Sequence, residues 1–204
     1  MKIIGLTAKK GSGKDTFADY LVKNHGYIKL SFAQYIKESA KVLFQWSDDD
    51  FEQDKKEIKD EYWNISPREF LQQFGTDFLR NFLHILNSEE LKIYNDTKIV
   101  LSGKKKFTFH IKRLNLHITE LYKINSVNNK IVISDIRFED EYEYVKKLGG
   151  TIIKIERSNV QDNIYSEHES ESFFDKLKED FFKKNISSLE IFYNEIEYLL
   201  KNKM

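Results

Sequence analysis

The first sixteen residues constrain the fold more than any other stretch. Lys2-Ile-Ile-Gly-Leu-Thr7 is a short apolar run, and Ala8-Lys-Lys-Gly-Ser-Gly-Lys-Asp-Thr16 is a glycine-rich turn. Phe17, Ala18, Leu21 and Val22 then recur at helical spacing. A strand that passes through glycines into a helix start lets the backbone N–H groups of Gly11, Ser12 and Gly13 converge on phosphate oxygens, with a favourable helix dipole behind them. Lys14 is then placed to reach the β- and γ-phosphates of a nucleotide, the arrangement called a P-loop. The strict pattern G-x-x-x-x-G-K-[ST] is not met. Ala8 replaces the first glycine, and Asp15 stands where Ser or Thr normally holds Mg²⁺, with Thr16 one place later. A carboxylate at a phosphate-binding helix start is unfavourable without a cation or an ordered water network. Mg²⁺ is therefore expected, held by Asp15 and Thr16 directly or through water. The alternative is a glycine-rich turn that binds nothing.

Further along, Tyr27 to Phe32 alternates like a strand and Tyr35 to Leu43 reads as a helix. Residues 47–61 are polar and mostly acidic, with lysines interleaved, and are expected to be solvated surface. Ser66-Pro-Arg-Glu69 forms a capping box with the only proline at the first helical position. Phe70, Leu71 and Phe74 follow, then Gly75-Thr76-Asp77 interrupts before a second helical run from Phe78 to Leu86. Residues 97–113 read as a β-hairpin insert with three lysines at its turn, and Leu114 to Ile124 as a helix. Ile131-Val-Ile-Ser134 is the most β-branched run and ends in Asp135. Phe138, Tyr142, Val145 and Leu148 restore helical spacing until Gly149-Gly150. Thr151 to Ile155 is a further strand, 157–171 a lid-like loop, and the tail is a helix behind the capping box Ser187-Ser-Leu-Glu190. This alternation predicts an α/β, three-layer fold with a central parallel sheet flanked by helices, in a single domain spanning 1–204.

Charge and composition remove competing functions. The 33 Lys and Arg balance 33 Asp and Glu, which argues against a strongly basic nucleic-acid binder. With no cysteine, disulfides, thiolate metal sites and thiol nucleophiles are excluded, which suits a reducing, cytoplasmic setting. The opening apolar run of about five residues is shorter than the ~7–15 of a signal peptide. No run of ~18 apolar residues predicts a membrane span. His84, His110 and His117 lack zinc-ligand spacing. The Asn-Lys-x-Asp motif of a GTPase is missing, which leaves the small P-loop kinases. Their acceptor sites are built from arginines, and only five of the basic residues here are arginine: Arg68, Arg80, Arg113, Arg137 and Arg157. Arg68 lies in the first turn of a capped helix, Arg137 two residues past Asp135, and Arg157 at the start of the loop after the next strand. In a parallel sheet the C-terminal strand ends form the ligand crevice, so these three are expected to face one cleft, where planar donors suit phosphate. Accidental surface placement is the alternative.

Four segments taken together, Lys10-Gly-Ser-Gly-Lys-Asp-Thr16, Pro67-Arg-Glu-Phe-Leu-Gln-Gln-Phe-Gly-Thr-Asp77, Ser134-Asp-Ile-Arg137 and His168-Glu-Ser-Glu171, resemble in order the motifs of the viral deoxynucleoside monophosphate kinases. The resemblance covers most of the chain except the acidic stretch and 97–113. It implies transfer of the ATP γ-phosphate to a deoxynucleoside monophosphate (dNMP), giving the diphosphate, in the host cytoplasm. By resemblance, Gly13, Lys14, Asp15 and Thr16 hold the ATP phosphates and Mg²⁺. Gly11 stands where the family can carry a basic residue. Lys10, Ile36 and Lys37 are implied to contact the acceptor, Arg68 to bind its monophosphate, and Gly75, Thr76 and Asp77 to line its base and sugar. Asp135 and Arg137 are implied to lie between donor and acceptor, and His168, Ser170 and Glu171 in the lid or base pocket.

Phosphoryl transfer mainly requires alignment and charge neutralisation, and Lys14, Arg137 and Arg157 are assigned to the charge. Asp135 is expected to orient Mg²⁺-bound water or the acceptor, or to act as a plain strand-end cap. Alternatives are dephospho-CoA kinase, the animal-type phosphomevalonate kinase, and a P-loop nucleotide-binding protein without turnover. The aromatic C-terminal stripe and the insert offer surfaces for a homodimer.

Overall fold

The opening apolar run forms the central strand of a five-stranded sheet in which every pair is parallel. The computed structural model describes residues 2–9, 11–52, 54–82, 109–124, 130–157, 174–185 and 188–202. In chain order the elements are β1 (Lys2–Ala8), α1 (Lys14–His25), β2 (Ile28–Leu30), α2 (Gln34–Phe44), α3 (Pro67–Phe70), a π-helix (Leu71–Phe82), α4 (Phe109–Ile124), β3 (Lys130–Ile133), α5 (Glu139–Lys147), β4 (Thr151–Glu156), β5 (Phe181–Lys184) and α6 (Leu189–Asn202). The chain divides into two compact units, Met1–Ser31 with Tyr122–Met204, and Phe32–Leu121.

The first unit holds the sheet, in the order β2-β3-β1-β4-β5. Ile4 and Leu6 of β1 are buried with Phe17, Ala18 and Leu21 of α1 and Phe192 and Ile196 of α6, which cover one face. Burial of each such large apolar side chain contributes ~1.5–3 kcal/mol. On the other face the segment after β3 and α5 pack so closely that a Cβ at Gly5 would lie 2.4 Å from Ile136 Cδ1 and 3.1 Å from Val145 Cγ1 of α5. These are the three expected layers. The β1-to-β2 crossover passes β3, and the β3-to-β4 crossover passes β1 in the opposite direction. Right-handed connections then place α1 and α5 on opposite faces. The C-terminal ends of β1 and β3 lie side by side where the two crossovers diverge, the position at which parallel sheets open a ligand crevice. α5 closes as expected on Gly149, whose φ is 73°. Gly149 N–H donates to the Lys146 carbonyl at 3.0 Å, and Gly150 N–H to that of Val145 at 2.9 Å.

The second unit packs α2, α3 and the π-helix around Ile36, Ala40, Trp46, Phe70 and Leu79. The capping box at α3 is complete: Glu69 N–H donates to Ser66 Oγ at 3.1 Å, and Ser66 N–H to Glu69 Oε2 at 2.9 Å. The acidic stretch contains two short 3₁₀ turns, Asp48–Phe51 and Lys55–Glu57, with no buried residue.

Four local expectations are corrected. Gly75-Thr76-Asp77 does not interrupt the helix, which passes through it with π winding. Phe70, Phe74 and Phe78 stack in sequence, with ring centroids 5.1 and 5.4 Å apart, and this ladder bridges the glycine. Residues 109–113 are not the second strand of a hairpin but the first turn of α4, because His110, Ile111, Leu114 and Ile118 share a buried helical face. β5 was not expected, and it extends the sheet beyond β4. At α6 it is Ser188 whose Oγ accepts from Ile191 N–H, at 3.5 Å, one residue after the predicted Ser187. Ser187, the 97–108 part of the predicted insert, 83–86, and the loop 158–171 lie outside the described residues.

Candidate phosphate-binding site

The turn after β1 has the backbone of an anion cradle. Gly11 and Gly13 have φ of 77° and 93°, in the left-handed region that glycine adopts at little cost. Between them Ser12 N–H donates to the Lys9 carbonyl at 3.3 Å, and Gly13 caps α1 by accepting from Phe17 N–H at 3.0 Å. Successive residues of this kind form a nest of inward N–H groups. Ser12 is 2% exposed, and its Oγ has no hydrogen-bond partner among the described residues. A buried hydroxyl in that state costs ~1–3 kcal/mol, which a bound phosphate oxygen would relieve. The loop therefore fits a nucleotide phosphate.

The first turn of α1 concentrates charge. The Lys14 side chain is only 15% exposed, and its Nζ lies 3.6 Å from Asp15 Oδ2. Burial holds the Lys14 ammonium below its ordinary pKa; Asp15 and Asp135 pull it back up, while Arg137 and Lys29 push it further down. Lys14, Asp15, Asp135 and Arg137 thus share one electrostatic neighbourhood. Lys29 of β2 is a member that sequence reasoning missed. Its Nζ contacts Asp15 Oδ1 at 3.2 Å and Asp19 Oδ1 at 2.8 Å. Although burial opposes it, Asp19 and Asp15 hold the Lys29 pKa above normal. Among the described residues no group of three or more His, Asp or Glu forms a ready metal cage. The donor set of Asp15, Thr16 and Asp135 suits Mg²⁺, which takes one or two protein oxygens and completes its shell with phosphates and water.

Asp135 and Arg137 are fixed through their backbone. Ile136 N–H donates to the Leu6 carbonyl of β1 at 3.1 Å. The Glu141 carboxylate, 2% exposed, accepts from Arg137 N–H at 2.9 Å and Phe138 N–H at 3.2 Å. The segment after β3 is therefore held between β1 and α5, with the Arg137 side chain exposed. Arg157 is also exposed, just past β4, whose Ile155 pairs with Ala8 at the mouth of the turn.

Of the residues assigned to the acceptor, Ile36, Lys37, Arg68, Gly75, Thr76 and Asp77 belong to the second unit. Ile36 is buried, and a Cβ at Gly75 would lie 2.9 Å from its Cδ1 and 3.9 Å from His110 Nε2. Thr76 is buried and Asp77 exposed. Lys37 Nζ lies 6.0 Å from the Phe51 ring centroid. Arg68 Nε donates to Glu57 Oε1 at 2.6 Å, so the acidic stretch supplies the partner of this arginine. Arg80 and His110, buried beside this segment, carried no sequence signal beyond residue type. Burial, with the Arg80 charge, pushes the His110 pKa down to about 3, so its imidazole is neutral. Lys10, His168, Ser170 and Glu171 lie outside the described residues.

No model of a known protein family matches the chain. Over 200 residues the chain is 36% identical to an Acanthamoeba polyphaga mimivirus protein provisionally named a deoxynucleotide monophosphate kinase, covering 96% of this chain and 94% of that protein. It is 23% identical, over 247 aligned positions, to the deoxynucleotide monophosphate kinase of Escherichia phage RB69, covering 98% of this chain and all of that one. Among solved structures it is similar to the dephospho-CoA kinase from Campylobacter jejuni, at 19% identity and a TM-score of 0.47, covering 98% of this chain and 96% of that one. The cradle after β1, the charges at the end of β3 and the 36% identity along nearly the whole chain lead to one assignment: the chain belongs to the deoxynucleotide monophosphate kinase family.

Proposed function

We propose that the chain transfers the γ-phosphate of ATP to a deoxynucleoside monophosphate, giving ADP and the deoxynucleoside diphosphate, with Mg²⁺ as cofactor. The observation that carries this reading is the joining of a two-glycine cradle to a largely buried lysine flanked by Asp15, Asp135 and Arg137. The N–H groups of Gly11 and Gly13, with the Ser12 hydroxyl, bind the donor phosphates, and Lys14 neutralises the β- and γ-oxygens. Arg137 and Arg157, exposed past the ends of β3 and β4, the strands on either side of β1, meet the charge that spreads over the transferring group in a loose transition state. Asp15, Thr16 and Asp135 hold Mg²⁺, directly or through water. When bound, the ion neutralises phosphate charge and orients the triphosphate.

Arg68 and Lys37 bind the acceptor monophosphate, Lys10 and Ile36 contact the acceptor, and Gly75, Thr76 and Asp77 line its base and sugar. His168, Ser170 and Glu171 bind the acceptor as well. An ionised phosphate oxygen is already nucleophilic, so no side chain serves as general base. No helix among the described residues is long and apolar enough to cross a membrane. We place the activity in the host cytoplasm, with small molecules as partners and no nucleic acid.

A coupled ADP-release assay with dGMP, dTMP, dCMP, dAMP, dephospho-CoA and phosphomevalonate tests this. ADP release dependent on a dNMP is expected. Release with dephospho-CoA or phosphomevalonate alone replaces the acceptor, and ATP binding without acceptor-dependent turnover replaces the enzyme with a nucleotide-binding protein.

A further inference from the structure

Asn185 lies one residue past β5, far from the glycine turn in sequence and in contact with it in space. Its backbone N–H donates to the Glu156 carbonyl at 2.6 Å, which anchors it to the end of β4. Its side-chain Nδ2 donates to the Ser12 carbonyl at 3.0 Å. That same Nδ2 would lie 2.6 Å from a Cβ at Gly13. The amide therefore fills a notch that exists only because residue 13 has no side chain.

The contact has a directional consequence. The chain has no cis peptide bond among its described residues, so the Ser12–Gly13 peptide is trans and its C=O and N–H point in opposite directions. With the Ser12 carbonyl held toward Asn185, the Gly13 N–H is turned away from it. A free glycine-rich turn can flip such a peptide at little cost, because glycine occupies both signs of φ. A fixed donor on the carbonyl removes that freedom.

We propose that Asn185 is a positioning residue for phosphate binding: it locks the Ser12–Gly13 peptide so that Gly13 N–H stays aimed at the donor phosphates. This rests on the phosphate-donor reading of the turn. It assigns the end of β5 a role in the site that neither the glycine motif nor the acceptor segments carry. The expected cost of losing one such hydrogen bond, with its preorganisation, is about tenfold in phosphate affinity.

The test titrates inorganic tripolyphosphate and ATP, each with Mg²⁺, into the parent, Asn185→Ala and Asn185→Asp, and measures KM for ATP and for a dNMP. Asn185→Asp keeps the size of the side chain, replaces its donor with an acceptor and adds a negative charge, so an unchanged affinity in it is decisive against the proposal. Asn185→Leu, neutral and of similar size, stands in for Asn185→Ala if that variant fails to fold, and thermal melting monitors the fold of each variant. The expected result is about tenfold weaker tripolyphosphate and ATP binding in both variants, a matching rise in KM for ATP, and a dNMP KM within twofold of the parent. Tripolyphosphate affinity within twofold of the parent in a folded Asn185→Asp overturns the proposal, as does a loss of melting temperature with no change in affinity. If the parent binds tripolyphosphate, the variants bind it weakly, and no dNMP is phosphorylated, the kinase reading fails while the role of Asn185 stands.

Discussion

Glu141 accepts the backbone N–H of Arg137 at 2.9 Å from a position that is itself buried, so a carboxylate inside the first unit sets the course of the chain that presents an arginine to solvent. The same oxygen accepts from Phe138 N–H and completes the N-terminal cap of α5. Caps of this kind contribute ~1–2 kcal/mol, and here two backbone donors depend on one carboxylate. Glu141→Ala is expected to lower unfolding stability by about 2 kcal/mol in urea titration. It is also expected to reduce kcat more than it raises KM for ATP. Glu141→Gln, which keeps an acceptor oxygen, is expected to lose less of both.

Gly5 is expected to tolerate no side chain. Its hypothetical Cβ meets Ile136 Cδ1 at 2.4 Å and Ile152 Cδ1 at 2.9 Å, and Ile136 leads directly into Arg137. Overpacking a close-packed core costs ~1–3 kcal/mol, so Gly5→Val is expected to lower unfolding stability by an amount in that range, read as a fall in the urea midpoint. An unchanged midpoint in Gly5→Val counts against the close approach of Ile136 and Ile152 to β1.

His110 gives the stability an acid limb with a defined sign. Its folded pKa is about 3, below the ordinary value of 6.5, chiefly because of burial. A depressed histidine pKa means that the unfolded chain takes up the proton first. Its contribution is therefore present above pH 6.5 and drains away as pH falls toward 3. The full span amounts to roughly 5 kcal/mol at most. The difference in unfolding free energy between the parent and His110→Gln is the quantity to follow. Stability of the parent is expected to fall more steeply than that of the variant between pH 6.5 and 4. Parallel curves would show that the imidazole is not held neutral.

The parts of the fold that could be read in advance are those determined by neighbours in sequence. β1, its glycine turn and α1 announce themselves because a short apolar run, φ-permissive glycines and helical spacing follow one another without a gap. The capping box at Ser66 is equally local. Residues 109–113 misled because five residues satisfy alternation and helical spacing alike, and only the burial of Ile111 with Leu114 and Ile118 separates the two. Gly75 misled because an isolated glycine normally weakens a helix, whereas here a stack of phenylalanines spans it. β5 has four residues, two of them lysine, which is how an edge strand avoids pairing with other chains and also how it escapes notice. Lys29 and Asn185 were out of reach for a different reason. Each enters the site only through strand order, which places β2 and β5 relative to the turn after β1.

The central claim is that Lys14 neutralises the transferring phosphate of ATP during transfer to a dNMP. Its most direct test follows radiolabelled γ-phosphate from ATP into dNDP, for the parent and for Lys14→Met. Methionine retains the long apolar stem that suits a largely buried position, so the melting temperature is expected to stay within a few degrees of the parent. The parent is expected to form labelled dNDP from at least one of the four dNMPs, and Lys14→Met to form it at least about a hundredfold more slowly. Labelled product at the parent rate in a folded Lys14→Met protein, or no labelled dNDP from the parent with any dNMP, would contradict the account.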